Sequence, residues 1–195
     1  MYHPISTEEV LRENAAYEAR INEAEEALSR RGFPRTAIFR QPVVWGEHDQ
    51  YQHVNNAHYI RWFESARMRW MERMSRTLSP EIASNLVRGR GVGIILASTY
   101  CRYRRPVTYP DTVVIGQAAL PMKFADRVTV RSQAYSVAQS AIVAEADFEC
   151  VAYDYDRLCK ASLPPEVADA LRAWTYTGDD KEPYCQKTSR RKTVS

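Results

Sequence analysis

Nowhere in the 195 residues does an apolar run approach the roughly 18 needed to cross a bilayer, so no membrane span is expected. The four cysteines, Cys101, Cys150, Cys159 and Cys185, have no short paired spacing, which excludes zinc and redox motifs and leaves reduced thiols as the expectation. Charge of one sign is also scarce. The formal net charge is +3, and most of it sits in residues 176–195, where five Lys or Arg face three Asp or Glu. A nucleic-acid binder needs a basic stripe along a folded face, so no nucleic-acid partner is expected. The first thirty residues are rich in Glu, which argues against a signal or transit peptide. A cytoplasmic protein is the expectation, with a mitochondrial location left open. No internal repeat and no second core is visible.

What is present suits one globular domain. Hydrophobic residues make up 45% and aromatics 11%, with twelve Tyr against five Phe, enough for a packed core with hydroxyl-bearing rings near its edges. From Ser6 to Arg31 the apolar positions Val10, Tyr17, Ile21, Ala24 and Leu28 recur at helical spacing. Ser6 and Glu9 form a capping box, and Gly32 and Pro34 end the run. Ile38–Trp45 reads as a strand. Asn56–Met74 then carries Tyr59, Phe63, Ala66, Trp70 and Met74 on one helical face, widened by Ile60, Arg67 and Met71. So broad a stripe predicts a helix wrapped by other structure.

Pro80–Arg88 reads as a short helix closed by Gly89, after which the period changes from near four to near two. Gly91–Tyr103, Thr112–Leu120, Phe124–Val137 and Ala141–Tyr155 are rich in Val, Ile, Thr and Tyr and are divided by turn signals, so they read as antiparallel strands. Pro164–Trp174 reads as a last short helix. The expected division is a helical extension at 1–35, a main domain at 36–174 and a disordered tail at 175–195. The layout is α+β, a curved antiparallel sheet around a long central helix.

The densest polar cluster runs from Trp45 to Asn56 and holds Glu47, His48, Asp49, Gln52 and His53. It ends in Asn55 and Asn56, which suit the cap of a helix whose first free amides make an electropositive site for a developing oxyanion. His48, His53 and His58 are five apart and form no His-x-His or His-x-x-x-His pair, so no metal is expected. His53 is expected to hydrogen-bond and orient the loop, and His48 and His58 to lie at the surface or at an edge.

Val44 to Arg67 resembles the 4-hydroxybenzoyl-CoA thioesterase-like branch of the hotdog superfamily. The residues that carry the likeness are Trp45, Glu47, Asp49, His53, Val54, Asn55, Asn56, Tyr59, Phe63, Glu64, Ala66 and Arg67. Cys101–Pro106 and Tyr109–Thr112 resemble the family's basic Pro turn and the entry to its next strand. The resemblance spans about Phe39 to Leu163 and implies a hotdog fold, hydrolysis of an acyl-CoA or acyl-carrier-protein thioester, no cofactor, and a homodimer or homotetramer. It implies that Asp49 attacks the thioester carbonyl or activates water while the Asn56 amide polarises the carbonyl oxygen. A thiolate leaves readily, so a carboxylate and a preorganised amide suffice.

Another hotdog branch uses a glutamate two turns into the same helix, which makes Glu64 the rival carboxylate. Tyr59, Arg102, Arg104 and Arg105 are candidate substrate contacts. Fixed guanidinium groups suit the phosphates of coenzyme A, and equally a charged strand edge that blocks aggregation. Two departures stand out. Gln52 replaces a Gly at a tight turn, where positive φ would cost energy, and Glu47 replaces an Asp. A hotdog hydratase or dehydratase and a non-catalytic acyl-thioester binder remain the alternatives. The first would carry an Asp and His pair with flanking Gly and Pro that is not found here, and the second would lack the loop acid.

Overall fold

The structure, a computed structural model, describes residues 6–178. Helix α1 (Thr7–Arg30) starts at the expected capping box: Glu9 N–H donates to Ser6 Oγ at 3.2 Å and Ser6 N–H to the Glu9 carboxylate at 2.6 Å. Strand β1 (Ile38–Pro42) follows. It ends three residues before the sequence expectation, because the chain tightens into a 3-10 turn at Trp45–Glu47 once the Val44 N–H is taken by the Glu47 side chain. Helix α2 (Asn56–Ser75) is the expected central helix, and α3 (Pro80–Arg88) closes at Gly89 in the left-handed region, φ 63°.

Strands β2 (Val92–Tyr103), β3 (Thr112–Ala119), β4 (Arg127–Ser136) and β5 (Ala141–Asp154) complete the main sheet, with a two-residue β6 (Cys159–Lys160) on β5 and a last helix α4 (Pro165–Ala173). The order is β1-β3-β4-β5-β2, antiparallel throughout. Helix α2 lies on one face of this sheet. Its predicted stripe of Tyr59, Phe63, Ala66, Trp70 and Met74 is wholly buried against Val113, Ile115, Val130, Ala134, Ala144 and Phe148.

The opposite face carries a second core, which corrects the expectation of one core alone: α1 covers that face in place of standing apart from the domain. There Ile21, Ala24 and Leu28 of α1 meet Val114 and Ala118, the residues of β3 that alternate with those facing α2. This is why every residue of β3 is buried. Arg40 of β1 reinforces the contact by donating to Glu25 at 2.6 Å and Glu18 at 2.8 Å. No helix among the described residues is long and apolar enough to cross a membrane.

The expected tail needs correction at its start. Thr175 bridges Ala119, Tyr176 N–H donates to the Ala119 carbonyl at 2.8 Å, and the buried Tyr176 ring packs 4.9 Å from Phe33. Residues 175–178 therefore belong to the packed domain. A buried aromatic flanked by polar residues leaves no periodic signal. The rest of that span lies outside the described residues.

Candidate active site

The segment between β1 and α2 is a small hairpin. His48 and Val54 pair across it, Asp49 N–H donates to the His53 carbonyl at 2.9 Å, and Gln52 N–H closes the turn onto the Asp49 carbonyl at 3.0 Å. The Asp49 carboxylate accepts from Tyr51 N–H at 2.8 Å, an Asx turn that fixes its direction. Gln52 has φ 61°, the left-handed conformation expected of the position where the family has Gly.

Three contacts set this hairpin on the domain. The buried Val54 donates its N–H to the Val107 carbonyl at 2.8 Å. His48 Nε2 accepts from Tyr109 N–H at 2.8 Å, so the half-buried His48, at the edge of the hairpin, ties two loops together. Glu47 does most. Its carboxylate accepts from Val44 N–H and from the Trp62 indole N–H, both at 2.8 Å, while its carbonyl accepts from Asn55 N–H at 2.9 Å. One residue thereby links the start of the loop, the cap of α2 and the second turn of that helix.

Asn55 caps α2 by accepting from Ala57 N–H at 2.9 Å. The next amide, that of Asn56, has no acceptor among the described residues and lies at the positive end of the helix dipole. The Tyr103 hydroxyl donates to the Asn56 carbonyl at 3.2 Å, which ties this first turn to the end of β2. Beneath it the buried Tyr59 hydrogen-bonds to the Val107 backbone, and burial pushes its hydroxyl up to about 12. Cys101, on β2, is likewise pushed up to about 11 by burial.

Asp49 opens into a cleft of about 620 Å³ that Trp45, His48, Gln52 and Tyr109 also line. The other candidates disperse. The His53 side chain is exposed and takes no hydrogen bond among the described residues; its carbonyl does the orienting. The Glu64 side chain is 61% exposed and 3.8 Å from Arg67, two turns along α2 from its capped end. Arg104 is occupied by the buried Glu145, to which its Nε donates at 2.6 Å. Arg102 and Arg105 have no side-chain partner among the described residues. Tyr109, Trp45 and His48 were missed as site residues because their positions depend on a contact between two distant loops.

The pattern of the thioesterase-like superfamily matches residues 43–171, the span from the start of this loop into the last turn of α4. The chain belongs to that superfamily. It is 24% identical over 135 residues to a protein of Aquifex aeolicus (strain VF5), covering 69% of this chain and 97% of that one. Among solved structures, the PA5185 protein of Pseudomonas aeruginosa strain PAO1 superposes with a TM-score of 0.61 at 22% identity, over 72% of this chain and 92% of its own. A 1,4-dihydroxy-2-naphthoyl-CoA thioesterase from Synechocystis superposes with a TM-score of 0.58 at 16% identity, over 75% and 98%. These likenesses establish the hotdog fold. Within this superfamily member the matched span holds the hairpin, the cap of α2 and the whole cleft.

Proposed function

We propose that this protein hydrolyses the thioester of an acyl group with coenzyme A or an acyl carrier protein. The observation that supports the reading is a carboxylate held by an Asx turn and lining an open cleft, on the hairpin that leads directly into the capped first turn of α2, whose Asn56 amide has no acceptor among the described residues. The Asn56 N–H holds the thioester oxygen as charge develops on it. The Asp49 carboxylate then either attacks the carbonyl carbon, giving an anhydride that water opens, or takes a proton from the attacking water. The C–S bond breaks, the thiolate leaves and is protonated, and a carboxylic acid remains. No metal or cofactor is needed.

Glu64 is a weaker candidate, since its exposure and its distance along the helix leave it without an oxyanion donor beside it. Subunit association is part of the proposal. Strand β2 ends the sheet, its outer edge has no partner among the described residues, and Ile95 and Leu96 on it are exposed. A homodimer or homotetramer would cover them.

Thiol release from short, long and aryl acyl-CoAs, hydroxylated naphthoyl thioesters included, tests the assignment. Asp49→Asn and Asp49→Ala are expected to lose activity by more than about 10³-fold with unchanged melting curves. Retention of activity in both, with loss in Glu64→Gln, would transfer the role to Glu64. Release of thiol by the natural sequence from none of these acyl-CoAs, nor from the same acyl groups on a carrier protein, would leave an acyl-thioester binder.

A further inference from the structure

We infer that Gln52 is a substrate-contacting residue whose carboxamide binds the amide groups of the substrate's pantetheine arm; this rests on the thioesterase reading above. Gln52 holds a left-handed backbone, φ 61°, that favours Gly. The turn is fixed on both sides, by Gln52 N–H on the Asp49 carbonyl at 3.0 Å and by Asp49 N–H on the His53 carbonyl at 2.9 Å, so the strain has no outlet. Strained non-glycine residues persist where the surroundings over-determine them, and they cluster at binding sites.

The side chain itself lines the Asp49 cleft and makes no hydrogen bond among the described residues. It therefore contributes nothing to holding the turn. Two rings flank the same cleft, Trp45 at 74% exposure and Tyr109 at 49%. A cleft of about 620 Å³ with exposed rings as walls, and with a carboxamide and the attacking carboxylate also lining it, suits an extended chain that is amphipathic and rich in amides. Its openness to solvent selects the thiol side of the thioester, because that side must continue outward to a nucleotide or a carrier protein. The pantetheine arm is that chain: it carries two amides, each a donor and an acceptor, as the Gln carboxamide is. Arg105, three residues before the Thr108 that lines the cleft, is exposed and has no side-chain partner among the described residues, which suits it to a phosphate farther along.

The test compares the full-length chain with Gln52→Gly and Gln52→Asn. The Gly variant relieves the left-handed strain and is expected to melt at a higher temperature, so any loss of binding in it does not come from unfolding. Calorimetry should show its dissociation constants for free coenzyme A and for pantetheine rising roughly three- to tenfold, and KM for acyl-CoA rising alike with kcat little changed. The Asn variant keeps the amide and tolerates the backbone, and should recover part of the affinity. Unchanged constants in the Gly variant, a loss confined to coenzyme A with pantetheine unaffected, or no binding of either compound by the natural sequence would each overturn the inference. Because binding is read without turnover, a chain that binds both compounds but hydrolyses nothing defeats the thioesterase reading and leaves Gln52 to be judged on the binding constants.

Discussion

Glu47 concentrates more structural work than any other residue around the cleft, and the sequence offered it only as one acid of a pair. Its two carboxylate oxygens each accept one N–H, from Val44 and from the Trp62 indole, and its side chain is only 14% exposed. Both partners are donors, so even the isosteric Glu47→Gln must turn an amide NH2 toward one of them. The cost is a hydrogen bond to a charged group plus a donor left facing a donor, roughly 1.5–3 kcal/mol. At about 2–4 °C per kcal/mol for a chain of this size, thermal unfolding should fall by roughly 3–12 °C. Trp62→Phe removes one of the competing donors, so the double variant should lose less than the two single losses added together. Additive losses would show that the carboxylate does not couple the loop to α2. The same reasoning separates Glu47 from Asp49, whose carboxylate accepts only a local N–H and faces the cleft.

At the level of elements, the seating of α1 depends on one close approach. A Cβ on Gly116 of β3 would stand 2.7 Å from the Phe33 ring, and that ring is itself buried with Tyr176 4.9 Å away on another side. Gly116→Ala should destabilise the chain by roughly 1–3 kcal/mol through overpacking, read as a lower melting temperature, and Phe33→Leu in the same chain should restore part of it. A neutral Gly116→Ala would mean that the junction after α1 is loosely packed. The elements themselves were legible because each carries a local signal: the Ser6 and Glu9 box, the α2 stripe, Gly89 after α3, and the β-branched run of β3 between its turn signals were all readable in place. The candidate site was legible as a segment and as a turn needing positive φ. Its partners were not. His48 meets Tyr109 across 61 residues and Arg104 meets Glu145 across 41, and nothing local in a sequence encodes which of two polar residues will be brought together. The early end of β1 had a local cause, the Glu47 cap on Val44, but one hidden inside a motif read as chemistry.

Across the whole molecule, the face of the sheet that wraps α2 collects titratable groups that must stay neutral. Tyr59 on α2 is pushed by burial from 10.0 to about 12, and Cys101 on β2 and Cys150 on β5 are pushed by burial from 9.0 to about 11. All three hold their protons in the folded chain at a pH where the unfolded chain has released them. Raised folded values mean that the stability these groups permit is complete below about pH 9 and is lost as pH rises toward 11 and 12, the folded state then binding more protons than the unfolded one. The melting temperature should therefore be level near neutrality and fall steadily above about pH 9. Surface ion pairs involving Arg do not titrate in that window, since guanidinium stays charged, so the fall belongs to these two thiols and to the phenols of Tyr59 and Tyr103, the latter also pushed by desolvation to about 12. Two measurements isolate them. Cys150→Ala should fold less stably at neutral pH yet lose less on going to high pH. Alkylation of the folded chain near pH 8 should reach the exposed Cys159 well before Cys101 and Cys150, because a thiol pushed to about 11 is almost wholly protonated there. Equal rates at all three would mean that the core opens to reagent faster than it reacts, and the alkaline fall would then report local unfolding in place of proton release from a closed core.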